Sequence, residues 1–109
     1  MKINFRDKKI RELCERSTTA VKKLGDANAR KLQVRLSELE SAHCVSELFN
    51  GRPHPLSGDR TGEFAVDLAG GCRLVFSPNH DSCPIKADGG IDWASVIIIR
   101  IEYIGDYHD

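Results

Sequence analysis

Glu63-Phe64-Ala65-Val66-Asp67-Leu68-Ala69-Gly70-Gly71-Cys72-Arg73-Leu74-Val75-Phe76 reads as two strands joined by a tight reversal. Phe64, Val66 and Leu68 alternate with Glu63, Ala65 and Asp67, Gly70-Gly71 permits the reversal, and Leu74 and Phe76 resume the alternation. Successive strand side chains point to opposite faces, so Arg73 is predicted to look away from the side that Leu74 packs on. The β-branched run Val96-Ile97-Ile98-Ile99-Arg100-Ile101-Glu102-Tyr103-Ile104 is the best candidate for a central strand, flanked on both faces along its first half. Gly105 ends it, and the tail Asp106-Tyr107-His108-Asp109 is expected to emerge at one end of the sheet.

Upstream the period changes. Lys2-Ile3-Asn4-Phe5 suits a short opening strand, and Asp7 is placed to N-cap a helix with Ile10, Leu13 and Cys14 on one face. Ser17-Thr18-Thr19 interrupts that helix, and a brief helical turn around Val21 and Leu24 precedes Gly25. Asp26 then caps a longer helix in which Ala29, Leu32, Leu36 and Leu39 recur at three- and four-residue spacing, with Arg30, Lys31 and Arg35 on the opposite face. Residues 50–62 hold three Gly and two Pro without a sustained period, which predicts an ordered loop. Residues 78–93 are polar and predict a long excursion before the last strand. The sum is an α+β fold, a small and mostly antiparallel sheet with the N-terminal helices packed on one face.

Size and composition narrow the function. With 109 residues there is room for one domain and a core that needs no metal or disulfide staple. Hydrophobic residues at 40% and charged residues at 29% include no apolar run long enough for a bilayer, and the charged opening lacks the apolar core of an export signal, so residence in the cytoplasm away from membranes is expected. Cysteines 14, 44, 72 and 83 form no Cys-x-x-Cys pair and no zinc-binding pattern, although Cys72, His80 and Cys83 could meet across a loop. Neither a metal nor another cofactor is expected. The formal charge of zero divides unevenly: residues 1–40 carry 11 Lys/Arg against 6 Asp/Glu, and residues 41–109 carry 5 against 10. A basic front half suits structured RNA, and equally a solvated helix face.

Two stretches concentrate chemistry. Arg52-Pro53-His54-Pro55-Leu56-Ser57-Gly58-Asp59-Arg60-Thr61-Gly62 and the terminal Asp106-Tyr107-His108-Asp109 supply histidine, arginine, tyrosine and acid. Metal-free RNA cleavage requires a base for the ribose 2′-hydroxyl, a cation for the phosphoryl oxygens and an acid for the departing 5′-oxygen. Histidine serves as either base or acid near neutral pH, and arginine offers a forked donor to phosphate. Each residue has a plainer alternative. His54 finishes a rigid turn between prolines, Arg60 pairs with Asp59 or Asp67, Arg73 makes a cross-strand pair, and the tail frays.

The pattern His-Pro-Leu-x-Gly-Asp-Arg-x-Gly-x-Phe from His54, continued as Val-Asp-Leu-x-Gly-x-x-Arg-Leu-x-Phe to Phe76 and joined to the ending Asp106-Tyr107-His108, closely resembles the HigB-type toxins of the RelE superfamily. The order of helices, loop, hairpin and last strand agrees with that family over nearly the whole chain. Three departures stand out: Ser57 where lysine is frequent, Cys72 and Phe64 where tryptophan is common, and the excursion 78–94 where a short turn is usual.

The resemblance implies a type II toxin, a ribosome-dependent messenger-RNA endonuclease silenced by a HigA-type helix-turn-helix antitoxin in a hetero-oligomer. It implies catalytic roles for His54, Asp106, Tyr107 and His108, and contact between Arg73 and the scissile phosphate. Arg60 would support the loop or the RNA backbone, and Arg30, Lys31 and Arg35 would contact ribosomal RNA. Which histidine is base and which acid stays open. The competing expectation is a non-catalytic interaction module that works through an antitoxin or transcription-autoregulation complex, which zero net charge and Ser57 favour. A metal-dependent nuclease would need clustered acids, and the sequence offers none.

Overall fold

The hairpin forms as its alternation predicts: β3 (Phe64–Asp67) runs antiparallel to β4 (Arg73–Pro78), with Asp67 opposite Arg73 and Phe64 opposite Phe76. It belongs to a five-stranded sheet in the computed structural model, which describes residues 1–106. With β1 (Lys2–Phe5), β2 (His54–Pro55) and β5 (Ile98–Gly105), the strand order is β1-β5-β4-β3-β2. β1 and β5 pair in parallel, and the other neighbours are antiparallel.

Three helices, α1 (Lys8–Glu15), α2 (Ser17–Leu24) and α3 (Asp26–Ser41), connect β1 to the rest. Asp7 caps α1 through its side chain, which accepts a hydrogen bond from the Ile10 amide at 2.9 Å. Ile10 and Leu13 of α1 join Leu32, Leu36 and Leu39 of α3 over Phe64, Val66, Leu74, Phe76, Ile99 and Ile101 of the sheet in one core. Each fully buried aliphatic or aromatic side chain there contributes about 1.5–3 kcal/mol. Trp93 sets its ring against Phe64 at 4.8 Å between centroids, which anchors the end of the 78–93 excursion to the core.

Four sequence expectations shift. α2 is a full eight-residue helix, not a brief turn, because the break falls on extended Arg16 and the Ser-Thr-Thr run forms the first turn. Asp26 is the first residue of α3 and pairs with Arg30, while the cap position belongs to Gly25, whose φ of 86° suits only glycine well. β5 starts at Ile98, and Ile97 and Arg100 are exposed, so one face of its first half is covered rather than both. The helices all pack on a single side, which leaves no layer to cover the other. Arg35 leaves the solvent face expected for it: its side chain is only 11% exposed and donates to Glu38 and to the Asp67 carbonyl. Its position three residues after Leu32 and four before Leu39 puts it on the edge of the apolar stripe.

The Met1 ammonium donates to the carbonyls of Leu39, Glu40 and Ala42 at 3.1, 2.8 and 2.7 Å. These are carbonyls that the end of α3 leaves without helical partners, at the negative end of its dipole.

Candidate active site

The helix-free face of the sheet carries the site. Register sets His54, Ala65, Val75 and Tyr103 in one cross-strand row, and Asp67, Arg73 and Gly105 in the next. With strands spaced about 4.8 Å apart, the first row spans roughly 14 Å. A register shift after Val75 makes Glu102 the extra residue of a bulge, so Glu102 and Tyr103 both address this face although they are consecutive.

Arg52 links His54 to Arg73, its main chain meeting the imidazole and its side chain meeting the carboxylate that also holds Arg73. His54 Nδ1 lies 2.7 Å from the Arg52 carbonyl oxygen. Arg52 Nε donates to Asp67 Oδ2 at 2.9 Å, and Arg73 Nε donates to Asp67 Oδ1 at 3.2 Å. Burial alone would raise the Asp67 carboxyl, but hydrogen bonds and charge from Arg52, then from Arg73, outweigh it and hold Asp67 below the ordinary carboxylate range. The Asp67 main chain is fixed as well: its amide donates to Gly51 O at 2.6 Å and its carbonyl accepts from Arg35 Nε at 3.0 Å.

Arg60 does not pair with Asp59 or Asp67. Its guanidinium donates to Glu63 at 2.9 Å and sits 4.8 Å from the centroid of the Tyr103 ring. Glu63 adjoins β3 and Tyr103 lies on β5, so Arg60 reaches across β4 and pins the 56–62 loop over the sheet. Ala65 and Val75, on this face and beneath that loop, have no solvent exposure. Beside them Glu102, 7% exposed, accepts from Ser77 Oγ at 2.5 Å and from Arg100 at 2.8 Å.

Asp106 follows Gly105, the cross-strand partner of Arg73, so the chain leaves the sheet next to that arginine. The Asp106 carboxylate lies against Gly71, where an added Cβ would approach Oδ2 to 2.8 Å, and its carbonyl accepts from the Tyr103 hydroxyl at 3.4 Å. Tyr107 and His108 lie outside the described residues. Of the α3 residues expected to meet RNA, Arg30 is exposed and Lys31 half-buried, whereas Arg35 is engaged beneath Asp67. Cys72 is buried in the core and Cys83 is on the surface, and the His80 ring nitrogen accepts from the Ile97 and Ile98 amides. Among the described residues no group of three His, Cys, Asp or Glu is placed to hold a metal ion.

Arg52, Asp67, Glu102 and Tyr103 join the site without having been expected there. Asp67 was accessible in principle, because it and Arg73 sit symmetrically about Gly70 in a short hairpin. The bulge that turns Tyr103 and Glu102 to one side leaves no mark in the sequence.

Solved structures that match over essentially the whole chain include two toxin structures. A YoeB/ParE toxin from Agrobacterium tumefaciens superposes with a TM-score of 0.61 at 12% identity, over 99% of this chain and 100% of that one. This is the fold of the YoeB/ParE toxins. A YoeB-YefM complex from Staphylococcus aureus agrees, with a TM-score of 0.57 at 15% identity, over 100% of this chain and 98% of that one. No protein-family model and no curated protein sequence matches the chain. In this fold the helix-free face carries His54 and Arg73, and Asp106 follows at the end of β5, against Gly71. Among the described residues no helix is long and apolar enough to cross a membrane.

Proposed function

We propose that the chain is the toxin of a type II toxin-antitoxin system, a metal-independent messenger-RNA endoribonuclease of the HigB type that works on the ribosome in the cytoplasm. The observation that carries this reading is the contact path from His54 through Arg52 and Asp67 to Arg73 on one face. The path unites a titratable imidazole with a guanidinium of fixed direction, two of the three groups the reaction needs. The third, an acid, is assigned to the tail that begins at Asp106.

In this mechanism the 2′-hydroxyl attacks the adjacent phosphorus, the bond to the 5′-oxygen breaks, and the products are a 2′,3′-cyclic phosphate and a 5′-hydroxyl. Proton transfer is divided between His54 and His108, and each such transfer is typically worth about 10²–10⁴-fold. Arg73 neutralises the developing charge on the phosphoryl oxygens. Asp106 orients a histidine or takes a proton, and Tyr107 holds a base or the phosphate. Arg60, stacked on Tyr103, supports the loop that closes one side of the groove, and Arg30 and Lys31 contact ribosomal RNA.

The YoeB-YefM complex supports an antitoxin partner, for which a HigA-type helix-turn-helix protein is the natural assignment. Zero net charge favours a second reading, a non-catalytic module that binds the antitoxin and autoregulates transcription. Expression without the neighbouring reading frames separates the two. The nuclease reading expects growth arrest that His108→Ala abolishes while antitoxin binding persists; arrest that survives His108→Ala contradicts it.

A further inference from the structure

Arg52 is the one non-glycine residue with positive φ among the described residues, at 50°, and it follows Gly51 at 79°. Holding a side-chain-bearing residue there is unfavourable and needs the surrounding contacts to fix it. The conformation has two results. It turns the Arg52 carbonyl onto His54 Nδ1, and it brings the Arg52 guanidinium onto the carboxylate that also holds Arg73.

Two guanidinium cations thus share one carboxylate. Both engage through Nε, each on its own oxygen, so the two guanidinium groups flank Asp67 rather than stack on one another. The Arg52 side chain is 67% exposed, while that of Arg73 is 26% exposed. Arg52, gripped at Nε and largely exposed, keeps its forked outer edge for a planar or tetrahedral oxyanion. Two cations set side by side match two successive phosphates of one RNA strand better than a single phosphate.

We propose that Arg52 binds the phosphodiester flanking the scissile one, as the outer member of an Arg52-Asp67-Arg73 phosphate clamp. The proposal rests on the nuclease reading, and it adds a second point that sets the register of the strand over His54.

The test is single-turnover cleavage of a ribosome-bound message carrying an uncharged methylphosphonate at the linkage on either side of the cut. Arg52→Gln is expected to slow cleavage of the ordinary message about 10- to 100-fold. One of the two methylphosphonates should slow the wild type by a similar factor, and Arg52→Gln should lose little more on that message. A merely structural role for Arg52 would instead multiply the two losses. Arg52→Lys, which retains charge but not the fork, should fall between. The clamp is overturned if Arg52→Gln cleaves within twofold of wild type, if the losses multiply, or if the wild type ignores both methylphosphonates. Wild-type protein that leaves the ordinary message intact would instead bring down the nuclease reading and the clamp with it.

Discussion

The Nδ1 atom of His54 sits 2.7 Å from the main-chain carbonyl oxygen of Arg52. A carbonyl only accepts, so in the neutral ring Nδ1 carries the proton and Nε2 presents its lone pair. That is the tautomer a general base needs. Nitrogen-15 spectra of the neutral ring should show a protonated Nδ1 and an unprotonated Nε2, and His54→Ala should reduce cleavage about 10²–10⁴-fold. The opposite tautomer would remove the base assignment.

Asp67 couples stability to acidity. Its folded pKa is depressed, so the stability it contributes is fully present above the unfolded value near 3.8 and is lost as pH falls through the lower folded value. Denaturant unfolding should find Asp67→Asn weaker than wild type by about 1–2 kcal/mol at pH 7. The gap should close on acidification well below pH 3.8. A gap that is constant with pH would mean the carboxylate charge is not what holds the two arginines.

Gly51 lies where no side chain fits. A Cβ there would lie 2.5 Å from Arg35 Nε and 3.1 Å from the Asp67 carbonyl, in a backbone conformation with φ of 79°. Gly51→Ala should therefore destabilise the fold by about 1–3 kcal/mol and slow cleavage as well, because it displaces the support of Asp67. Thermal unfolding together with a cleavage assay checks both effects.

The two arginines of α3 should separate by phenotype. Arg35, nearly enclosed and bonded to Glu38 and Asp67, should cost about 1–3 kcal/mol on change to Ala. Arg30 is paired with Asp26 in full solvent and should shift stability by less than about 0.5 kcal/mol. If α3 faces ribosomal RNA, Arg30→Ala should weaken ribosome association and flatten its salt dependence, as a co-sedimentation series would reveal.

Much of the fold was legible because burial imposes a period. The alternation of Phe64, Val66, Leu74 and Phe76, the leucines of α3 and the β-branched run of β5 each pointed to the element that formed. What escaped depended on relations between distant residues. The depth of Arg35 arises from where α3 crosses the end of β3, the exposure of Ile97 and Arg100 from helices packing on one side only, and the turn of Tyr103 onto the helix-free face from a bulge. Within the site, His54, Arg73 and Asp106 stood out as residue types suited to the chemistry. Arg52 and Asp67 did not, because backbone geometry and strand register are what bring them there.

Mapping message ends after incubation with translating ribosomes tests the nuclease function most directly. Wild-type protein should leave fragments bearing a 5′-hydroxyl and a 2′,3′-cyclic phosphate, and His54→Ala and Arg73→Ala should leave nearly all of the message uncut over the same interval. Intact message with the wild-type protein, or fragments with 5′-phosphate ends, would contradict metal-free cleavage at this face.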